Sequence, residues 1–183
     1  MSMNKIFKHL KTVHTHRKYV RQLCFKCGLY KQGLLHDLSK YSLEEFIPSV
    51  RYWSGDKSPL ENQIADIGYS PAWLHHKGRN KHHYEYWVDQ SHGDPQIICE
   101  MPSKYLVEMF CDRVAASKAY LGDKYTENAP YLYLLSKADR EKALMGTLTY
   151  QRLINLLLEL ACFGEEYVCK SLKKALKNER SSK

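Results

Sequence analysis

The chain has 183 residues, 44% hydrophobic and 26% charged, a globular balance that argues against a disordered or low-complexity protein. That length buries a proper core, so one domain spanning 1–183 is expected. The formal charge of +8 favours anionic partners, without choosing among a phosphorylated small molecule, a nucleic acid and a merely solvated surface. No apolar run reaches the roughly eighteen residues of a membrane span, so no membrane partner is expected. The stretch from Met1 to His9 lacks the apolar centre of a signal peptide, and a cytoplasmic chain with reduced thiols is the expectation. Cys24 and Cys27 have zinc-site spacing, but no second close pair follows, and core packing is the preferred reading.

Helix signals run the length of the chain. Ile6, Leu10, Val13, Tyr19, Val20, Leu23 and Cys27 recur every three or four residues, predicting a helix over 4–28. Gly28 and Gly33 bracket its end and the start of the next segment, and a helical piece follows over 42–52. Ser58-Pro59-Leu60-Glu61 is a capping box opening a helix to about Gly68, and Ser70-Pro71 opens a short one ending near Gly78. Residues 80–90 suggest one more short helix, and 91–102, with Gly93, Pro95 and Pro102, read as loop. Ser103 is placed as the cap of a helix to Gly122, with Tyr105, Leu106, Met109, Ala116 and Tyr120 inward. A capping box at Ser136–Asp139 opens a long helix through Leu144, Leu148, Leu153 and Leu157, and a lysine-rich helix follows Gly164. No strict alternation lasts long enough for a strand. The expected fold is an all-α, compact helical bundle, with a metal-site core over about 5–125 and C-terminal helices over about 136–180.

Three stretches carry the chemistry. His36-Asp37 lies among leucines, where a carboxylate needs a partner. His16 has Val13, Tyr19 and Val20 as helical neighbours and points inward, whereas His14 faces a basic surface. Asp112 has Met109, Ala115 and Ala116 beside it, with Glu108 the one polar neighbour. An ion there is costly unless paired with an arginine such as Arg51 or Arg79, or bound to metal. Between these lies a segment with His75, His76, His82 and His83 interleaved with Lys77, Arg79 and Lys81. Imidazoles suit Mn, Fe, Co, Ni or Zn, and the cations suit an anion held beside the metal. Which member of each doublet turns inward is left open by the spacing.

His16, His36-Asp37 and Asp112 resemble the H…HD…D signature of the HD-domain metal-dependent phosphohydrolases. The runs GLLHDLSKYSLEEF (33–46), WLHHKGRNKHHYEYW (73–87) and EMFCDRVAASKAY (108–120) are similar to those of a small uncharacterised HD-like family of bacteria and phages. The resemblance covers about residues 5–125. It implies an HD-domain-like fold, a divalent metal held by His16, His36, Asp37 and Asp112, and a place for His75, His76, His82 and His83 at a second ion or as acid and supporting groups. Lys40, Lys77, Arg79 and Lys81 would bind phosphate, and Asp37, Lys40, His75 and His82 would take the catalytic roles. Lys40 stands where many relatives of that superfamily carry an acid, which leaves the general acid open. The expected activity is hydrolysis of a phosphorylated small molecule, a nucleotide above all. The alternatives are a dinuclear iron oxygenase of the same fold and a non-enzymatic, nucleic-acid-binding regulator using Tyr84, Tyr86, Trp87 and the basic C-terminal helix.

Overall fold

The apolar repeat near the N-terminus forms α1 (Met3–Lys26), which turns His9, Val13, His16, Val20 and Leu23 inward on one stripe. The structure, a computed structural model, describes residues 3–55 and 57–182, and of Ser91, Asp94, Pro95 and Arg140 the backbone alone. Next come α2 (Tyr30–Leu35), a 3-10 turn at Leu38–Tyr41, α3 (Leu43–Tyr52), α4 (Pro59–Ile67) and α5 (Pro71–Arg79). Ser58 and Ser70 cap α4 and α5 through their hydroxyls, which accept the amides of Leu60 and Trp73. Gly33 does not open a segment, as the sequence suggested, but lies inside α2. A Cβ there would stand 3.0 Å from Cys24 Cβ and 3.1 Å from the Phe25 ring, so glycine lets α2 close on α1.

The segment after α5 departs from expectation. Instead of a helix over 80–90 and a loop over 91–102, it forms a 3-10 turn at Tyr84–Trp87 and an antiparallel hairpin of β1 (Val88–Ser91) and β2 (Asp94–Ile98). Strands of four and five residues carry too few alternations to show a period of two.

Helix α6 (Ser103–Leu121) is buried on every side from Leu106 to Cys111 and packs along α1. Ser103 is its first helical residue rather than its cap, and its hydroxyl accepts from Arg152 Nη2 at 2.8 Å. Tyr120, expected inward, is 44% exposed. The C-terminal part holds α7 (Ala129–Ser136), α8 (Ala138–Met145) and α9 (Thr147–Ser181), the last kinked at Gly164, where a helix boundary was expected. Ser136 does not cap the helix expected from it through Leu157: it closes α7, its hydroxyl donating to the Tyr133 carbonyl, and the expected helix starts at Ala138 and is broken at Gly146. Its φ of 77° ends α8, and any Cβ there would meet Ile98 Cγ2 at 2.8 Å.

All-α is therefore the fold class, with the hairpin as a minor insertion. Val20, Leu23, Phe110, Val114, Leu153, Leu157 and Leu160 join α1, α6 and α9 in one continuous core. Truncating any one of those leucines to alanine costs roughly 2–5 kcal/mol. Cys24, Cys27, Cys111 and Cys169 are buried in that same core, as the packing reading of the cysteines expected.

Candidate metal centre

The site begins where α2 ends. His36 leaves the helix extended, and Asp37 turns back in the left-handed conformation at φ 54° and ψ 30°, the one non-glycine residue with positive φ among those described. Aspartate tolerates this region better than most side chains. Arg17 of α1 holds the turn: its Nε donates to the His36 carbonyl at 2.8 Å and its Nη2 to the Leu34 carbonyl at 3.2 Å. The result fixes both side chains of the doublet in the interior, with Asp37 1% and His36 2% exposed.

Helices α1 and α6 complete a first pocket. His16 Nε2 lies 3.0 Å from Asp112 Oδ1 and 3.8 Å from Asp37 Oδ2, and His36 Nε2 lies 3.3 Å and 3.4 Å from the same two oxygens. Of the two histidines on α1, His16 is buried, as its apolar neighbours predict, and His14 is exposed. The arginine partners considered for Asp112 are not what it faces; it faces these two imidazoles.

The other Asp37 oxygen looks the opposite way. Oδ1 lies 3.4 Å from His76 Nε2 and 3.5 Å from His82 Nε2, and His83 joins them in a second group. In each group of four, ligand atoms lie within 4.8 Å of one another. Among the described residues, the groups spaced to share an ion are all built of histidine and carboxylate, and the cysteines form none.

Whether the pockets suit a cation is decided by their polar atoms. Nε2 of His16, His36, His82 and Nε2 of His83 are buried and make no hydrogen bond, and neither does Asp37 Oδ1. Buried polar atoms are ordinarily satisfied, so four unpartnered imidazole nitrogens gathered around one carboxylate fit divalent ions well. Behind them stand two further carboxylates. Glu108 Oε1 faces His36 Nδ1 at 3.0 Å and His82 Nδ1 at 3.3 Å, while Glu45 Oε2 faces His76 Nδ1 at 2.7 Å. A carboxylate only accepts, so each of these Nδ1 atoms carries a proton and each Nε2 is turned toward the pockets.

Electrostatics agree with the geometry. Burial pushes the Asp37 carboxyl up, but His36, Lys40, His76 and His82 outweigh it and hold the group well below the carboxylate range. Asp112 is likewise held down against burial, by His16 and His36. Burial draws His36 down, yet Asp37, Asp112 and Glu108 raise it to about 10, so in the ion-free chain it is the imidazolium. Burial lowers His16 and His83, which stay neutral.

The remaining expected site residues are distributed unevenly. Lys40 is in place, its Nζ 2.6 Å from Asp37 Oδ2. His75, proposed as catalytic or metal-binding, turns away: its Nδ1 donates to Glu45 Oε1 at 2.7 Å and its Nε2 accepts from Arg79 Nε at 2.7 Å. Adjacent residues on α5 point about 100° apart, so only His76 of that pair can face inward. Arg79 is thereby engaged at the exposed side of α5, and Lys81 lies over the rings of Tyr86 and Tyr105. Lys77 is half-buried on α5, where its charge bears on Glu85. Tyr84, offered as part of a base-stacking platform, is buried in the core.

Glu108, Glu45 and Arg17 were not anticipated as site residues. Glu108 had a signal, one helical turn before Asp112 on the same face. Glu45 was masked, because Ser42-Leu43-Glu44-Glu45 has capping-box spacing while the glutamate instead clamps two histidines. His9, two turns before His16, is also buried with neither ring nitrogen hydrogen-bonded, and burial with Lys40 nearby lowers it to about 4.

An all-α chain holding two histidine–carboxylate pockets on one shared aspartate is the class these features define. By sequence the chain belongs to the family of unknown function DUF5662, which matches residues 5–159 and so contains every residue of both pockets. No curated protein and no solved structure matches it.

Proposed function

We propose that this protein is a two-metal phosphohydrolase of the HD type, acting on a phosphorylated small molecule, with nucleotides the first class to test. The observation that carries the reading is Asp37: one oxygen faces His16 and His36 and the other faces His76 and His82, all by Nε2. His16, His36, Asp37 and Asp112 would hold one divalent ion, and Asp37, His76, His82 and His83 a second. Ions so held would supply Lewis acidity toward a phosphoryl oxygen and a bound water acidic enough to react near neutral pH. Imidazole with carboxylate suits Mn, Fe, Co, Ni or Zn.

The chain's own groups do the rest. Lys40, its side chain 28% exposed beside Asp37, presents a cation where a phosphate would approach the pockets. Glu108 and Glu45 keep the ligand imidazoles in the tautomer with free Nε2. Of the two roles expected for His82, catalytic group or ligand, this reading takes the ligand, and it makes His75 a support for Glu45.

The test is phosphate release from a panel of nucleotides and sugar phosphates, with the metal-stripped protein reloaded in turn with Mn, Fe, Co or Zn. Release that requires metal and is abolished in D37A is expected. No release by protein carrying two equivalents of any of these ions would overturn the hydrolase reading. A second reading, a two-iron oxygenase, is favoured by the histidines beyond the first pocket, since His76, His82 and His83 give the second group three nitrogen donors. Dioxygen consumption by the iron-loaded protein, without phosphate release, would establish it.

A further inference from the structure

Two carboxylates back the histidine ligands, and they are connected differently. Glu45 serves one pocket: Oε2 takes His76 Nδ1 at 2.7 Å, and Oε1 takes His75, which is no ligand. Glu108 reaches both pockets through a single oxygen, Oε1, which takes His36 Nδ1 at 3.0 Å and His82 Nδ1 at 3.3 Å. We infer that Glu108 is a positioning residue that couples the two metal pockets, so that the imidazole ordered for one ion orders the imidazole of the other. The inference rests on the two-pocket reading but not on the reaction.

Several constraints make the coupling stiff. A carboxylate oxygen has two lone pairs, and here one takes the His36 N–H while His82 Nδ1, of the other pocket, stands 3.3 Å from the same oxygen. The His36 and His82 rings lie 4.3 Å apart by centroid at 34°, so neither ring turns without displacing the other. On the far side of the rings stands Asp37, whose Oδ2 is 3.4 Å from His36 Nε2 and whose Oδ1 is 3.5 Å from His82 Nε2. The two rings are thus clasped between Glu108 behind and Asp37 in front. Glu108 is only 6% exposed and projects from α6 one turn before Asp112, so its position is set by the packed core rather than by a loop. His36, His82 and Glu108 are also spaced closely enough to hold an ion themselves. Their separations are hydrogen-bond lengths, and an ion on Nδ1 would take away the protons that fix both tautomers.

The experiment is a calorimetric titration of metal-stripped wild type, E108A, E108Q and E45A with Co(II), followed in parallel by Co(II) absorption. Wild type should take up two equivalents. E45A should weaken one step by roughly 10–100-fold and leave the other near wild type, the range typical for loss of a group that orients a ligand. E108A should weaken both steps, each by roughly 10–100-fold. E108Q keeps an accepting oxygen without the charge, and should shift both steps by a smaller factor. Weakening of one step alone in E108A, no weakening of either, or loss of a third equivalent present in wild type would overturn the coupling. If E108A does not fold, the same criterion applies to E108Q: two shifted steps support the inference, and one or none overturns it. A wild-type protein that binds no Co(II) would overturn the two-pocket reading together with this one. Two bound equivalents without phosphate release would remove only the hydrolase reading.

Discussion

The two pockets share Asp37 but are made of different material. The first takes His16 from the middle of α1 and Asp112 from α6, long helices packed against one another through the core. The second takes His76 from the last turn of α5, and His82 and His83 from the irregular segment before the hairpin. Its order comes from polar braces: Glu45 on His76, and Asn80 Nδ2 on both the His76 carbonyl and Ser39 Oγ, each at 2.8 Å. The helices that carry His16 and Asp112 are held by burial of apolar surface, the segment that carries His76, His82 and His83 by hydrogen bonds. Their donors differ as well, two nitrogens and two carboxylates against three nitrogens and one, so the first is the harder site and the second the softer. A protein built this way is expected to fill its pockets with unequal affinity.

The sharpest way to break the comparison is at the shared residue. D37A should take bound metal from two equivalents to none, measured by elemental analysis after dialysis; one retained equivalent would show that the pockets do not depend on a common ligand. Next in size are H16A and H83A. Each should cost one equivalent and spare the other, and loss of both in either variant would make the two pockets a single site.

A smaller effect follows from His36. Its folded value, about 10, lies above the ordinary 6.5, so the stabilisation it brings to the ion-free chain is complete below the ordinary value and is lost as pH rises toward 10. The metal-stripped protein should therefore lose stability progressively between about pH 7 and pH 10, by an amount on the order of a few kcal/mol, measured by denaturant unfolding at each pH. H36Q should flatten that decline, and an unchanged slope would contradict the charged assignment. Because the imidazolium must lose its proton to become a ligand, metal uptake at about pH 8 should also release protons, detected by titration in buffers of different ionisation enthalpy. The smallest effect belongs to H75A. His75 touches the second pocket only through Glu45, so its removal should weaken the softer site by less than about tenfold and leave the harder one alone.

What the sequence revealed follows the same division. His16 and Asp112 stand on long helices, where a period of 3.6 distinguishes inner from outer positions, and both were found from their neighbours. The roles of His75 and His76 were invisible, because both rings are held by Glu45, 30 and 31 positions away in sequence, reaching across from α3. Glu108 and His36 are separated by 72 positions, and nothing local in either stretch announces the contact. The hairpin and the break at Gly146 were missed for a related reason: Gly146 is required by its closeness to Ile98, a contact that exists only once the chain has folded.

The left-handed turn at Asp37 narrows what evolution can do with this position. A replacement must accept positive φ and also present two short, charged oxygens to opposite sides. Asparagine and glycine meet the first demand and fail the second; glutamate carries the charge but is a longer side chain ill suited to that backbone. On the two-metal reading the position therefore has an alphabet of one letter. Were that reading lifted from it, asparagine or glycine would be the first letters admitted, and the bundle would fold around them.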